Sequence, residues 1–209
     1  MPPVRARSEQ AMHSSLRAHP DLLDALEGAL GAYHHSTAKH ADRVRQIANT
    51  LGVRLSLRAT ECEALSWAAL LHDLGKLGVP VALLRKKGPL TDAEWVEMKR
   101  HPAVGAEMLV SLSPLLEPIA AGVRAHHEWW DGSGYPDGLA GEEIPLVGRI
   151  IAVADALDAM THPRPYRPRV YTPDEAIAEL QAGAGTEFDP NVVAALTELS
   201  REGEYPEAN

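Results

Sequence analysis

The residues of this sequence best able to do chemistry are five of its ten histidines and two aspartates. These histidines lie near predicted helix ends or on predicted helix faces, and imidazole with carboxylate is the ligand set that Fe, Mn and Zn prefer. A single histidine on a helix is more often a surface or core residue than a ligand, so the interpretation depends on the whole set. The set predicts a metal site with the candidate ligands His40, His72, Asp73, His101, His126, His127 and Asp155.

Two adjacent pairs, His72-Asp73 and His126-His127, bear on how many ions the site holds. Neighbouring residues on a helix point about 100° apart, so such a pair suits two ions side by side better than one ion. The two oxygens of Asp73 can bridge the ions, and bridged cations about 3.5–4 Å apart are a recurrent device for cleaving phosphate esters. Lys76 follows by one helical turn, where its ammonium can neutralise a phosphate oxygen. The pattern predicts phosphate-ester cleavage with Asp73 and Lys76 as catalytic residues.

Helices must position these residues, because the apolar spacing is helical from about Pro20 onward and shows no run of alternating strands. A first helix is predicted at 21–33. A second begins after Ser36 or Thr37 and stops at Gly52. Thr60 with Glu63 forms a capping-box pattern that opens a third helix. The later start signals are Thr91 with Glu94, Pro102, Thr172 and Asp189-Pro190.

The stretch 130–145 is rich in Gly, Pro and Asp and is predicted to be a loop. The expected fold class is therefore all-α, with an N-terminal tail at 1–20 and a single domain at 21–209.

The overall charge limits the partners. A formal net charge of −9 repels a nucleic-acid backbone, so no nucleic acid polymer is expected as a partner. A small anionic ligand remains compatible, because bound divalent cations reverse the local field. Cys62 is the single cysteine and excludes an internal disulfide. The sequence has neither a bilayer-spanning segment nor a secretory signal, which predicts a cytoplasmic protein without membrane attachment.

The eleven residues from His126 to Pro136 read HHEWWDGSGYP and resemble the HHExxDGxGYP motif of HD-GYP phosphodiesterases. Further matching segments occur on both sides in the expected order, which makes a chance match very improbable. They are LHDLGK at 71–76, HP at 101–102, AD at 154–155, RPYR at 164–167 and FDP at 188–190.

This resemblance implies an HD-superfamily helical bundle with a central metal site and a Gly/Pro-rich GYP loop. It implies that the seven candidate residues are metal ligands, that Lys76 contacts the scissile phosphate and that Tyr135 contacts the substrate. Arg164 and Arg167 would grip the nucleotide, since guanidinium binds phosphate or the guanine edge in bidentate fashion. The implied cofactors are two divalent transition-metal ions, Fe or Mn first, with Zn, Ni or Mg as alternatives.

Two positions depart from the family pattern. Members with three metals carry a Glu four residues before the first ligand histidine, where this chain has Ser36, and this favours two ions. His162-Pro163 stands where polar residues such as Ser-Asp are expected, and the change is interpreted as a neutral one at the surface.

The leading hypothesis is that a metal-bridging hydroxide opens cyclic di-GMP to linear pGpG, with further breakdown to GMP left open. One alternative is an HD phosphohydrolase for another nucleotide such as cyclic GMP-AMP. Another is a sensor or docking module that binds a cyclic dinucleotide without turnover. The expected protein partners are a separate regulatory protein or diguanylate cyclase, and a second copy of the chain paired through helix 21–33.

Overall fold

The computed structural model describes residues 37–163 and 169–204, together with the single residues 25 and 28. The predicted tail, most of the predicted first helix, Ser36, Arg164 and Arg167 lie outside the described residues. Within the described ranges there are nine α-helices and three short 3₁₀ helices, at Leu74–Gly78, Pro114–Leu116 and Gly141–Glu143. The α-helices are α1 (Thr37–Arg54), α2 (Ala59–Leu71), α3 (Val81–Leu84), α4 (Asp92–Met98), α5 (His101–Leu112), α6 (Glu117–Ala125), α7 (Leu146–Thr161), α8 (Pro173–Ala182) and α9 (Pro190–Arg201).

The helices form a bundle around α7, which confirms the all-α prediction. Helix α7 packs against α1, α2, α6, α8 and α9, while α5 packs on α6. The core is mainly aliphatic, with Leu51, Leu65, Leu71, Leu109 and Ile150 among its fully buried side chains. No β-strand occurs in residues 37–163 or 169–204, where the only pairing is an isolated bridge between Ala184 and Phe188. In the same ranges, no helix combines the length and apolar character of a bilayer-spanning segment.

Several helix starts follow their sequence signals. Thr91 caps α4 by accepting the backbone N–H of Glu94, whose carboxylate accepts the N–H of Thr91 in return. Thr172 and Glu175 repeat this reciprocal pair at α8. Asp189 caps α9 by accepting the N–H of Asn191. A side-chain oxygen at the cap satisfies a backbone donor that the helix itself leaves unpaired.

Two predicted helix boundaries were wrong. Helix α1 runs past Gly52 to Arg54, because Gly52 serves packing: a Cβ there would lie 2.8 Å from Leu65 of α2. Helix α2 begins at Ala59, before Thr60, and its reciprocal acid is Glu61, whose carboxylate accepts the backbone N–H of Arg58 at 2.8 Å. In both cases the helix boundary depends on contacts that the local sequence pattern does not show.

Candidate metal centre

Three of the candidate histidines are held at helix ends. His72 follows α2, His126 follows α6, and His101 comes three residues after Met98, the last residue of α4. Each ring places Nδ1 against the backbone carbonyl three residues earlier, at 2.7 Å for His72, 2.9 Å for His101 and 2.6 Å for His126. A carbonyl only accepts, so Nδ1 is the donor and Nε2 carries the free lone pair. The last carbonyls of a helix lack helical partners, which makes them available for this task.

The candidate side chains gather into two clusters. The acidic cluster is His40, His72 and Asp73, and the imidazole cluster is His101, His126 and His127. Within each cluster one ligand atom per residue lies within 4.8 Å of the others. Asp155, on α7, joins the acidic cluster, since its Oδ1 lies 3.2 Å from Nε2 of His40. All seven candidates are thus brought to one place in the bundle.

Asp73 lies between the two clusters. Its Oδ2 is 3.6 Å from Nε2 of His72, and its Oδ1 is 3.5 Å from Nε2 of His101. The rings of His72 and His126 also lie side by side, with centroids 5.2 Å apart. One carboxylate therefore presents one oxygen to each cluster, which is the arrangement that a bridging ligand requires.

Each adjacent pair falls within one cluster, although Asp73 also reaches the other cluster, with Oδ1 3.5 Å from Nε2 of His101. His72 and Asp73 fall in one cluster, and His126 and His127 in the other.

Gly75 explains how segments distant in sequence meet at Asp73. A Cβ at Gly75 would lie 1.9 Å from the carbonyl oxygen of His101 and 2.6 Å from the backbone nitrogen of Gly105. The backbone after Asp73 therefore crosses the start of α5 at a separation that only glycine permits. This crossing sets His101 beside Asp73.

The site has the features of a cation site. Nε2 of His72 is buried and has no hydrogen-bond partner within residues 37–163 and 169–204. Nε2 of His101 and Nε2 of His126 face each other at 3.3 Å, and both Nδ1 atoms are already donors to carbonyls. In the neutral rings, two lone pairs therefore point at each other. A buried polar atom without a partner is costly, and a cation bound in each cluster would satisfy these nitrogens.

Burial keeps the imidazole cluster neutral. It lowers the pKa of His101 to about 4 and the pKa of His127 to about 3, and it holds the pKa of His126 well below its ordinary range. Neutral imidazole is the form that binds metal.

The acidic cluster has the opposite electrostatics. Burial alone would lower the pKa of His40, but hydrogen bonds to Asp155 and Asp158 outweigh it and raise that pKa to about 9. Burial would likewise raise the pKa of Asp73, but the charges of Lys76 and the neighbouring histidines hold that pKa well below its usual range. Asp73 is therefore an anion, and the two clusters differ in charge.

The sequence of this chain is similar to those of known proteins. The family model described as HD domain matches residues 25–192. The chain belongs to the HD domain family. Because the HD domain implies binding of divalent metal, the two clusters have a family precedent as a metal site.

Two curated relatives resemble this HD domain. A protein named cyclic di-GMP phosphodiesterase response regulator RpfG, from Xanthomonas campestris pv. campestris, is 42% identical over 177 residues, covering 84% of this chain and 47% of that protein. A protein named 3'3'-cGAMP-specific phosphodiesterase 2, from Vibrio cholerae serotype O1, is 37% identical over 179 residues, covering 85% and 34%. The chain spans less than half the length of these relatives.

A solved structure shares the fold. Bd1817, described as an HDG"Y"P protein from Bdellovibrio bacteriovorus, aligns with a TM-score of 0.65 at 17% identity, covering 93% of this chain and 69% of that one. Together with the relatives, this confirms the resemblance to HD-GYP proteins.

The predicted substrate contacts that the structure describes lie beside the clusters. Nζ of Lys76 is 2.7 Å from Oδ2 of Asp73. The Tyr135 ring stacks on His127 at a centroid distance of 4.8 Å and an angle of 27°. Nζ of Lys99 lies 5.1 Å from the centroid of the Tyr135 ring. Burial raises the pKa of the Tyr135 hydroxyl, so it stays protonated. Arg164 and Arg167 lie outside the described residues, and their contacts stay predictions.

Two supporting acids were not assigned a role from the sequence. Glu128 is buried and accepts the backbone N–H groups of Asp137 and Leu139, at 2.7 and 3.1 Å, so it holds the GYP loop in shape. Asp158 is fully buried and bonds Nδ1 of His40 at 2.6 Å. The available signals were the Glu directly after the two histidines of the motif, and an acid one turn beyond Asp155 in an apolar helix.

Proposed function

We propose that this HD domain hydrolyses cyclic di-GMP to linear pGpG at a centre of two divalent transition-metal ions, Fe or Mn first. The observation that carries the proposal is the position of Asp73, which turns one carboxylate oxygen toward each cluster. The name of the Xanthomonas relative supports the substrate, since that protein is a cyclic di-GMP phosphodiesterase.

In this proposal, each cluster holds one ion and Asp73 contacts both. His40, His72 and Asp155 would complete one set of ligands, and His101, His126 and His127 the other. Imidazole-rich sets of this kind favour Fe, Mn or Zn over Mg. When bound, the ions would clamp the phosphate, lower the pKa of water and stabilise the leaving oxygen.

The chain's own residues would prepare the phosphate. Lys76 is half-buried and next to Asp73, so its ammonium is placed to meet a phosphate oxygen that approaches the clusters. Its charge acts more strongly there than in water, because the surroundings are largely buried. The Tyr135 ring stacks on the His127 ring, next to the imidazole cluster, and we propose that it contacts the substrate. Arg164 and Arg167 are proposed to grip the nucleotide on the strength of the family resemblance alone.

Cyclic GMP-AMP is a second candidate substrate. The observation that favours it is the 37% identity to a Vibrio cholerae protein named a 3'3'-cGAMP-specific phosphodiesterase. The two substrates differ in one purine, so both would place the same phosphodiester at the clusters.

A direct competition assay tests the substrate. Metal-depleted protein is reloaded anaerobically with Fe²⁺ or Mn²⁺ and given equal amounts of cyclic di-GMP and 3'3'-cGAMP, with products separated by anion-exchange chromatography. We expect cyclic di-GMP to be consumed faster, with pGpG as product. Cleavage of 3'3'-cGAMP alone would contradict cyclic di-GMP as the substrate and support 3'3'-cGAMP instead.

Measurements of binding and hydrolysis on the same metal-loaded protein distinguish an enzyme from a sensor. Asp73→Ala is expected to abolish hydrolysis and lower metal content, while the far-UV circular dichroism spectrum stays helical. Tight binding of cyclic di-GMP by the metal-loaded wild type, with no cleavage over hours, would instead identify a sensor module.

A further inference from the structure

Asp158 is a fully buried acid on α7 that contacts the candidate ligand His40. Its Oδ2 lies 2.6 Å from Nδ1 of His40. Arg43, one turn along α1 from His40, donates to both oxygens of Asp158 through Nε and Nη2. His162 completes the set, with Nδ1 at 3.1 Å from Oδ1. His162, interpreted from the sequence as a neutral change at the surface, is half-buried and its ring contacts this carboxylate.

His40 differs from the three histidines at helix ends in what holds its Nδ1. Those three donate to a backbone carbonyl of a helix's last turn. His40 lies within α1, where the carbonyl groups of the preceding turn are engaged in helical hydrogen bonds. A side chain from another helix must supply the acceptor, and Asp158 does so.

We propose that Asp158 is the positioning residue for the acidic cluster: it holds Nδ1 of His40 as the donor, so that Nε2, which lies 3.2 Å from Asp155, is the nitrogen left to bind a metal ion. This inference rests on the metal centre of the proposed function. A carboxylate behind a ligand histidine fixes its tautomer and raises its basicity, and loss of such a partner typically costs about 10- to 100-fold in metal affinity.

Asp158→Asn changes this contact with almost no change in size. Arg43 donates to Oδ1 through Nε at 2.5 Å and to Oδ2 through Nη2 at 3.1 Å. The amide oxygen of Asn is therefore expected on the Oδ1 side, where the contact is shorter, with its NH₂ group facing His40. An NH₂ group donates, which requires Nδ1 of His40 to accept and moves the ring proton to Nε2. The lone pair that faced the acidic cluster is then lost.

The test is the number of Mn²⁺ ions per chain, measured by elemental analysis after equilibrium dialysis. At a free Mn²⁺ concentration that just saturates the wild type with two ions, Asp158→Asn is expected to keep one, because its acidic cluster binds about 10- to 100-fold more weakly. His40→Ala alone, and His40→Ala combined with Asp158→Asn, should keep the same single ion. His101→Ala in the Asp158→Asn background should remove it.

A matched control is Asp189→Asn, which alters another buried aspartate in an ion pair, with Arg149 at 2.6 Å. Asn remains a good N-cap, so α9 is kept. This variant is expected to bind two Mn²⁺ ions. If Asp158→Asn fails to fold, Arg43→Gln provides the test. This variant removes a partner of Asp158 but keeps the contact between Asp158 and His40, so it is expected to bind two Mn²⁺ ions.

Two ions bound to folded Asp158→Asn with wild-type affinity would overturn the inference, as would loss of one ion in Arg43→Gln. These outcomes leave the proposed function standing. Conversely, a wild type that binds two ions and cleaves neither cyclic dinucleotide would overturn the function and leave the role of Asp158 intact.

Discussion

At the scale of single residues, the two clusters differ in charge. Asp73 and Asp155 surround His40 with anions, whereas His101, His126 and His127 form a neutral set. Lys76 places a cation at this boundary, with Nζ 2.7 Å from Oδ2 of Asp73. The chemistry proposed for the site depends on this contrast, because a phosphodiester anion needs positive charge beside it in a protein of net charge −9.

Replacement of Lys76 by Gln removes the ammonium and keeps most of the side-chain length. We expect kcat for cyclic di-GMP to fall about 100- to 1,000-fold, as for loss of one transition-state donor, with two metal ions still bound. Lys86→Gln is the matched control, since Lys86 pairs with Glu94 in another part of the fold, and its kcat should not change. An unchanged kcat in Lys76→Gln would show that Lys76 does not contact the reacting phosphate.

The histidines also set the pH dependence of stability in the metal-free protein. His101, His126 and His127 have folded pKa values below the unfolded value of about 6.5, so the unfolded state takes up more protons as pH falls and stability is lost. His40 has a folded pKa of about 9, so its contribution is complete below the unfolded pKa and is lost as pH rises toward 9.

The free energy of unfolding should therefore peak near the unfolded histidine pKa, with a steeper acidic limb. Each proton contributes a slope of roughly 1.4 kcal/mol per pH unit, and three histidines act on the acidic side against one on the basic side. Urea unfolding of EDTA-treated protein at a series of pH values measures this. A stability that keeps rising through the basic range would contradict the assignment of His40.

At the scale of elements, helix ends and one glycine crossing bring the clusters together. Gly75→Ala introduces a Cβ that would overlap the carbonyl of His101, so the start of α5 must move away from Asp73. We expect a loss of about 1–3 kcal/mol in stability, typical of overpacking, together with weaker metal binding.

Gly88→Ala is the control, because nothing lies within 4 Å of a Cβ at that position. Thermal unfolding and metal content should match the wild type in this variant. Gly75→Ala protein with wild-type stability and two bound ions would contradict the role of the crossing.

The limits of sequence reasoning are also clearest at this scale. It could be predicted that the seven candidate ligands lie close together, because they belong to an extended motif and the apolar pattern places them on or beside helices. The boundary at Gly52 could not, since a glycine that ends a helix and one that lies against Leu65 look the same in sequence. The role of Asp158 could not be predicted, because its contact with Nδ1 of His40 joins residues more than a hundred positions apart.

At the scale of the whole molecule, the candidate ligands come from α1, the end of α2, the start of α5, the end of α6 and α7. A bound ion would thus add a further link between helices that pack mainly through aliphatic side chains. Metal that binds the folded state alone stabilises it by about 2.7 kcal/mol per site at 100 times Kd. The unfolding temperature should therefore rise with free Mn²⁺, as calorimetry against an EDTA-treated sample would show. Asp73→Ala should reduce that rise, and an unfolding temperature independent of Mn²⁺ would contradict a site formed between helices.

The most direct measurement is an anomalous-difference map from crystals of Mn²⁺-loaded protein. Two peaks about 3.5–4 Å apart are predicted, with Asp73 contacting both and one cluster around each. A single peak, or two peaks at separate places in the bundle, would contradict the two-ion centre on which the proposed phosphodiesterase depends.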